Sequence, residues 1–371
     1  MKRMTDGMER TLQRRTPAAV MALLLALVTL VAVAPQQEAS AAITKRKGAT
    51  FLATGSNAYS TAGYRATVNS FKAQGGTDVA LIYSMYQDDV RSSAITGGNN
   101  TVTDASLISG INYARSRGLR VMVDFKMEVR DYSWRADINP SNRNTWYANY
   151  QAQLVRVARI AHARGASVLS IGTEMYLTAS SAANADNTRR WTTMITAVRK
   201  VFKGQLTYGT QHSGDRSELL SLGFGSRLDY IGVSAYFALT ASGSNQAQAL
   251  ANSWAQAETR IKAAYNKYRK PILFTEIGYR SVAGAHTAPW DYSRAGAVDL
   301  AEQSRDYEAM FKFWYARSYF AGTYIWAWEP RTTAGGTGDT SFTPQNKPAI
   351  KVMCRWYSYN GKKNCAGGSG L

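Results

Sequence analysis

The sequence predicts a (β/α)8 barrel, an α/β fold in which eight parallel strands alternate with helices. Two observations lead to this prediction. Short apolar runs alternate about eight times with amphipathic stretches, and the runs are continuously apolar, which is typical of parallel strands covered on both faces. An open doubly wound sheet would show the same alternation and is the alternative. The sequence lacks the Gly-rich first turn of a nucleotide-binding sheet of that kind, which favours the barrel.

The eight predicted strands follow one another through the chain after an unusual N-terminal segment. They cover residues 49–55, 77–84, 118–126, 166–174, 205–211, 228–236, 271–276 and 322–328.

Three segments between these strands have a clear helical pattern. Residues 104–118 begin at a predicted Asp104 cap, and this segment, like residues 144–165 and 187–204, ends at a glycine, as expected for a helix C terminus. In the last two segments apolar residues recur every three to four positions, at Trp146, Tyr150, Leu154, Val157 and Ala161 and then at Trp191, Ile195, Val198 and Phe202.

The first 41 residues predict a secretory signal peptide. A basic start precedes a mostly apolar run from Ala18 to Ala34, and small residues follow around Ala39 and Ala41. A membrane anchor is the alternative, but the run is somewhat short for a bilayer span. We therefore expect cleavage near Ala41, by either the general or the twin-arginine export route, and a secreted single domain over residues 42–371 without a membrane span.

Charge, cysteine and histidine content limit the partners. The formal net charge is +19, but the basic residues are scattered, which favours a solvated surface or contact with anionic cell-wall material over nucleic acid. Cys354 and Cys365 are the two cysteines and are expected to form a disulfide in an exported protein. With three histidines and no zinc, phosphate-loop or dinucleotide motif, we predict no metal or cofactor, and we expect a monomer.

Two carboxylates end apolar strands that lie far apart in the sequence. Glu174 ends the fourth predicted strand and Glu276 the seventh. Active sites of such barrels lie at the C-terminal ends of the strands. A structural ion pair could explain either glutamate alone. Two facing carboxyl groups surrounded by aromatic residues are what glycoside hydrolysis requires, because one protonates the leaving oxygen and the other attacks the sugar or activates water.

Other residues at these strand ends are candidates for substrate binding. Trp326 and Trp328 are two positions apart, so we expect both on one side of the last strand, with Trp326 as the platform for a sugar ring. Tyr236 is expected to contact Glu276 through its hydroxyl. The remaining candidates are Lys126, Trp134, His212 and Tyr279.

The motifs around the two glutamates resemble those of glycoside hydrolase family 113, a family of clan A barrels that contains retaining β-1,4-mannanases. The segments are IGTEM (Ile171–Met175) and FTEIGYRS (Phe274–Ser281), and similar segments occur at residues 101–123, 134–140, 288–292 and 302–314. The resemblance covers Ala49 to Pro330. It implies that Glu174 is the general acid/base and Glu276 the nucleophile of a retaining enzyme.

The sequence departs from the family pattern at two places near these motifs. Thr173 stands where many clan A enzymes have an asparagine, and Asp124-Phe125-Lys126 stands where a Lys-Pro-His type of sequence is expected. Mannan is therefore the leading substrate, and galactan, glucan or an acidic polysaccharide are alternatives. A barrel that binds carbohydrate or cell wall without cleaving it is the alternative from another functional class.

Overall fold

The fold is a closed barrel of eight parallel strands in the order of the sequence. The computed structural model describes residues 43–212, 214–240, 246–361 and 365. The closed barrel confirms the predicted (β/α)8 fold and excludes the open sheet. The predicted signal peptide lies outside the described residues.

All eight predicted strands are present, although their ends differ from the prediction by several residues. The strands are β1 (Arg46–Phe51), β2 (Asp78–Gln87), β3 (Arg120–Val129), β4 (Val168–Thr173), β5 (Gln205–Gln211), β6 (Ile231–Ser234), β7 (Ile272–Ile277) and β8 (Phe320–Trp328). Strands β2 and β3 each run three residues past their predicted ends, because they pair continuously as far as Gln87 and Val129. Lys126 therefore lies within β3 and not at its end.

The helices cover the outside of the barrel. They are α1 (Ala62–Ala73), α2 (Asp104–Ser116), α3 (Arg143–Ala163), α4 (Tyr176–Ala179), α5 (Asp186–Val201), α6 (Gln246–Tyr268), α7 (Leu300–Trp314) and α8 (Ala349–Tyr359). The cap of α2 is Thr103, whose hydroxyl accepts from the Ser106 amide, and not Asp104 as predicted. Asp104 is the first helical residue, where a negative charge favours the helix dipole.

The main core lies between the strands and the helices. All five apolar residues of the predicted α3 pattern are buried there, together with large aromatic side chains such as Trp191, Trp254 and Trp314. A smaller apolar cluster, which includes Ala80, Met122 and Leu273, lies apart from this core. No helix in the described part of the chain is long and apolar enough to cross a membrane.

The two ends of the barrel carry different charged groups. Arg46 at the start of β1 contacts Asp78 at the start of β2, and we call this N-terminal end the floor. The C-terminal ends of the strands, with the loops that follow them, form the mouth. The predicted disulfide between Cys354 and Cys365 is formed and connects the middle of α8 to Cys365 beyond its C-terminal end.

Candidate active site

The mouth of the barrel contains a cavity of about 960 Å³ that both strand-end glutamates line. Glu276 enters it from β7, and Glu174 follows β4 directly. Four other predicted residues also line this cavity, namely Trp134, His212, Tyr236 and Trp326. The barrel therefore brings together carboxylates 276 − 174 = 102 residues apart in the sequence.

Glu276 is buried and bonded through both carboxylate oxygens. The Lys126 ammonium donates to Oε1, and the Tyr236 hydroxyl donates to Oε2 at 3.1 Å. The pairing of β7 with β6 shifts by one residue between Phe274 and Glu276, which is the local irregularity at which this side chain enters the mouth. Two donors of this kind suit an ionised carboxylate in a fixed orientation.

Lys126 contacts Glu276 but does not itself line the cavity. Its ammonium is also 3.6 Å from Asp124 Oδ2 and 4.3 Å from the centre of the Trp326 ring. Burial disfavours the charge of Lys126, but the Glu276 and Asp124 carboxylates outweigh this cost and raise its pKa. The structure therefore makes Lys126 a partner of Glu276, whereas the sequence suggested a substrate contact.

Glu174 has a different environment. Arg135 Nη1 donates to its Oε2 at 3.3 Å, and the same guanidinium binds both oxygens of Glu128 at 2.8 and 3.0 Å. Burial and the nearby Glu276 charge raise the pKa of Glu174, although Arg135 opposes this shift. Glu174 also has a positive φ of 53°, a backbone conformation that non-glycine residues adopt rarely and that clusters at functional sites.

The two tryptophans of β8 point to opposite sides of the strand, so the prediction that they share one side is wrong. Trp326 lines the cavity, whereas Trp328 is completely buried against Phe51 and Phe71 of the outer core. The reason is an irregularity in the pairing of β8 with β1. Ile325 pairs with Ala49 and Trp328 with Phe51, so three steps along β8 match two along β1 and the alternation of side chains is interrupted.

Tyr279 is also a packing residue and not part of the cavity lining. It is 1% exposed, and its ring packs edge-on against Tyr307 of α7 at 5.3 Å between ring centres. The chain leaves the barrel at Gly278, where an added Cβ would lie 2.1 Å from the Trp326 carbonyl oxygen. The backbone then turns towards α7 and carries Tyr279 with it, which corrects the predicted substrate contact.

His212 and Thr173 flank the two carboxylates. His212 Nδ1 donates to the Ser234 carbonyl at 2.8 Å, and burial lowers the pKa of His212 to about 4. Its imidazole is therefore neutral near pH 7 and lines the cavity as a polar, uncharged group. Thr173, the predicted departure before Glu174, is buried in the pairing of β4 with β5 opposite Gly209.

Several cavity residues were not recognised from the sequence. Glu128 lies in the unexpected extension of β3, and Arg135 lies in a short helical turn just beyond it. Trp290 and Tyr292 belong to the loop after β7 and are 52% and 82% exposed. Two large aromatic residues close together in a polar loop are a signal for a binding surface, but the sequence drew attention to them only through the resemblance.

A parallel barrel with two carboxyl groups and several aromatic side chains in one cavity at its mouth has the form of a glycoside hydrolase. Comparison with known proteins gives the family. Residues 49–347 match the sequence profile of Glycoside Hydrolase Family 113. The chain belongs to this family and is a glycoside hydrolase.

Solved structures of this family resemble the chain over most of its length. A GH113 β-mannanase from Alicyclobacillus acidocaldarius, in complex with ManMIm, is 26% identical with a TM-score of 0.75, and the match covers 85% of this chain and 98% of that chain. A complex structure of a GH113 β-1,4-mannanase is 25% identical with a TM-score of 0.74, covering 85% and 100%. A search of curated protein sequences finds no significant match.

More distant structures share the fold alone. A β-glucuronidase from Faecalibacterium prausnitzii is 13% identical with a TM-score of 0.57, and the match covers 85% of this chain and 49% of that chain.

Proposed function

We propose that the protein is an exported, retaining endo-β-1,4-mannanase in which Glu276 is the nucleophile and Glu174 the general acid/base. The observation that carries this proposal is the contrast between the two carboxyl groups of one cavity. Glu276 accepts from an ammonium and a phenol, whereas burial raises the pKa of Glu174. Carboxyl groups in such different environments suit the two different roles that hydrolysis requires.

In the first step, Glu276 attacks the anomeric carbon and forms a bond to the sugar while the glycosidic bond breaks. Glu174 gives its proton to the departing oxygen, so the leaving group departs as a neutral alcohol. Lys126 and Tyr236 keep the attacking carboxylate oriented, which lowers the entropic cost of reaching the anomeric carbon.

In the second step, the ionised Glu174 takes a proton from a water molecule that attacks the glycosyl-enzyme. The bond between the sugar and Glu276 breaks, and both carboxyl groups return to their starting states. Two displacements at one carbon retain its configuration.

The rim of the cavity supports a polymeric substrate. Trp134, Trp290 and Tyr292 are exposed aromatic residues at the mouth, and Trp326 lies deeper, beside the ammonium of Lys126. Aromatic faces of this kind stack on sugar rings. The two similar structures described as β-mannanases favour β-1,4-mannan over other β-glycans.

The proposal is tested with a panel of β-1,4-mannan, β-galactan, β-glucan and an acidic polysaccharide. We expect the largest release of reducing ends from mannan, with internal cleavage giving oligosaccharides of several lengths. Preference for galactan or glucan would change the proposed substrate but not the proposed mechanism. A folded protein that binds these polymers and cleaves none would support the non-catalytic binding barrel instead.

Export and association with the cell wall are proposed from the sequence of the N-terminal segment and from the charge. Fractionation of producing cells, with determination of the N-terminal sequence of the protein outside them, tests both. We expect a mature chain that begins near residue 42, partly released by salt from anionic wall material.

A further inference from the structure

A second cluster of acidic and imidazole groups lies between the loop after β7 and the helix α7. His286 belongs to the loop, and Glu302 and Asp306 are one turn apart on α7. One possible ligand atom from each of the three side chains lies within 4.8 Å of the others. None of these residues lines the cavity that contains Glu174 and Glu276.

Glu302 already holds the loop against the helix. Its carboxylate accepts from the Gly284 amide at 2.8 Å and from the His286 amide at 3.2 Å. It also contacts His286 Nδ1 at 2.7 Å, which fixes the imidazole beside the two carboxylates. The side chain of His286 is 16% exposed, so the cluster can be reached from solvent.

Asp306 is the group that these contacts do not explain. The residue is 1% exposed, and neither of its carboxylate oxygens has a hydrogen-bond partner among the described residues. A buried ionised carboxylate without a partner is costly, and proteins normally pair such a group or bind it to a metal. One of these unpartnered oxygens lies within 4.8 Å of a possible ligand atom of His286 and of Glu302.

We propose that His286, Glu302 and Asp306 bind one divalent transition-metal ion, with Zn²⁺ as the preferred ion. One imidazole and two carboxylates are ligands that suit zinc, which commonly has three such protein ligands and one water. Calcium is less suitable, because it takes six to eight oxygen ligands. Tetrahedral zinc places its ligand atoms roughly 3.3 Å apart, so small side-chain rotations would close the cluster around the ion.

The ion would fasten the loop after β7 to α7 and supply the positive charge that Asp306 lacks. This loop carries Trp290 and Tyr292 on the rim of the cavity, so the ion stabilises the loop without contacting the reacting groups. The sequence predicted no metal site, because no zinc motif describes Glu302 and Asp306 on one helix face with His286 lying 302 − 286 = 16 residues before Glu302.

The test uses the purified protein without a polyhistidine tag, treated with a chelator and then given ZnSO₄. We expect one zinc per chain after gel filtration, measured by elemental mass spectrometry, and a rise in Tm of roughly 5 °C when free zinc is about 100 times the Kd. MnCl₂ and CaCl₂ in parallel samples should bind more weakly.

Asp306→Asn and His286→Gln should each remove the stoichiometric zinc and the zinc-dependent rise in Tm. Asp306→Asn replaces a buried carboxyl group that has no hydrogen-bond partner with a neutral amide of similar shape, so without zinc it should be at least as stable as the unsubstituted protein. Asp291→Asn, in the same loop but outside the cluster, is the matched control and should bind zinc normally. A folded protein that binds no zinc, or equal binding by all three variants, would overturn the proposal.

Discussion

The floor and the mouth of the barrel both contain buried ion pairs, but the two pairs differ in their access to the cavity. At the floor, Asp78 is completely buried and accepts from Arg46 and Arg120 at 2.6 Å each. Arg46 is bonded further to Gln205 at 2.5 Å. At the mouth, Glu276 is paired with Lys126 but also borders a cavity of about 960 Å³.

The difference indicates that what lies beside a buried charge decides whether it can meet a substrate. The floor carboxylate has donors on both oxygens and does not line the mouth cavity, and its charge ties β1, β2 and β3 together. Glu276 at the mouth also has donors on both oxygens, but it borders a cavity that has space for a substrate. Strand β3 contributes to both ends, with Arg120 at its start and Lys126 near its end.

The largest loss of activity is expected from a substitution at the mouth. Glu276→Gln should lower kcat by roughly 10⁴-fold or more, because the amide cannot form the glycosyl-enzyme. The measurement is initial rate on mannan together with binding of mannan oligosaccharides, which should be largely preserved. Activity within tenfold of the unsubstituted enzyme would show that Glu276 is not the nucleophile.

The matched substitution at the floor should reduce stability and leave the catalytic rate unchanged. Asp78→Asn leaves two arginines without their counter-charge and should reduce the free energy of unfolding by about 3 kcal/mol or more. Urea unfolding measures this loss, and kcat of the folded fraction at low temperature should be unchanged. A fall in kcat comparable to that of the mouth variant would remove the distinction between the two ends.

The two tryptophans of β8 repeat the comparison within one strand. Trp328→Ala should lower the free energy of unfolding by roughly 3–5 kcal/mol, because it opens a cavity in the outer core. Trp326→Ala should mainly raise KM for oligosaccharides, by roughly tenfold, because it removes a stacking surface from the cavity. Chemical denaturation and steady-state kinetics on both variants separate these outcomes, and exchanged phenotypes would contradict the assignment.

A smaller effect is expected in the pH dependence. Glu174 must be protonated to act as the acid, so activity falls as pH rises through its pKa. Arg135 lowers that pKa, and Arg135→Gln should therefore move the alkaline limb of kcat/KM to higher pH. Arg216→Gln changes another cavity-lining arginine, one that pairs with Asp137 and not with Glu174, and should leave the limb in place. A shift to lower pH in Arg135→Gln would contradict the role of Glu174.

The smallest effect is expected at Tyr279. Its hydroxyl has no hydrogen-bond partner among the described residues, and Tyr279 does not line the mouth cavity. Tyr279→Phe should change the free energy of unfolding by no more than about 0.5 kcal/mol and leave KM unchanged. A clear rise in KM, measured on the same oligosaccharides as for Trp326→Ala, would restore Tyr279 as a substrate contact.

The sequence predicted the barrel and the two glutamates because these depend on local patterns. Apolar runs such as Ile272–Phe274 identify buried strands, and a carboxylate at the end of such a run is unusual enough to be noticed. The buried residues of α3 were predicted for the same reason, since their spacing alone defines the face that packs on the barrel.

The site contacts and side-chain directions that the sequence did not predict depend on contacts between distant segments. The pairing of Lys126 with Glu276 arises only when the barrel closes and brings β3 near β7. The opposite directions of Trp326 and Trp328 follow from a shifted register between β8 and β1 that neither strand shows by itself. The turn at Gly278, which removes Tyr279 from the cavity, likewise depends on the nearby backbone of β8.

The central claim, that Glu276 attacks the sugar and Glu174 supplies and removes the proton, is tested most directly by trapping the glycosyl-enzyme. The protein is incubated with a 2-deoxy-2-fluoro-β-mannosyl fluoride, digested and analysed by mass spectrometry, with Glu276→Gln as the control. We predict one fluoromannosyl group on the peptide that contains Glu276 and none in the control. A fluoromannosyl group on another residue, or an enzyme that is active on mannan but gives products of inverted configuration, would contradict the account.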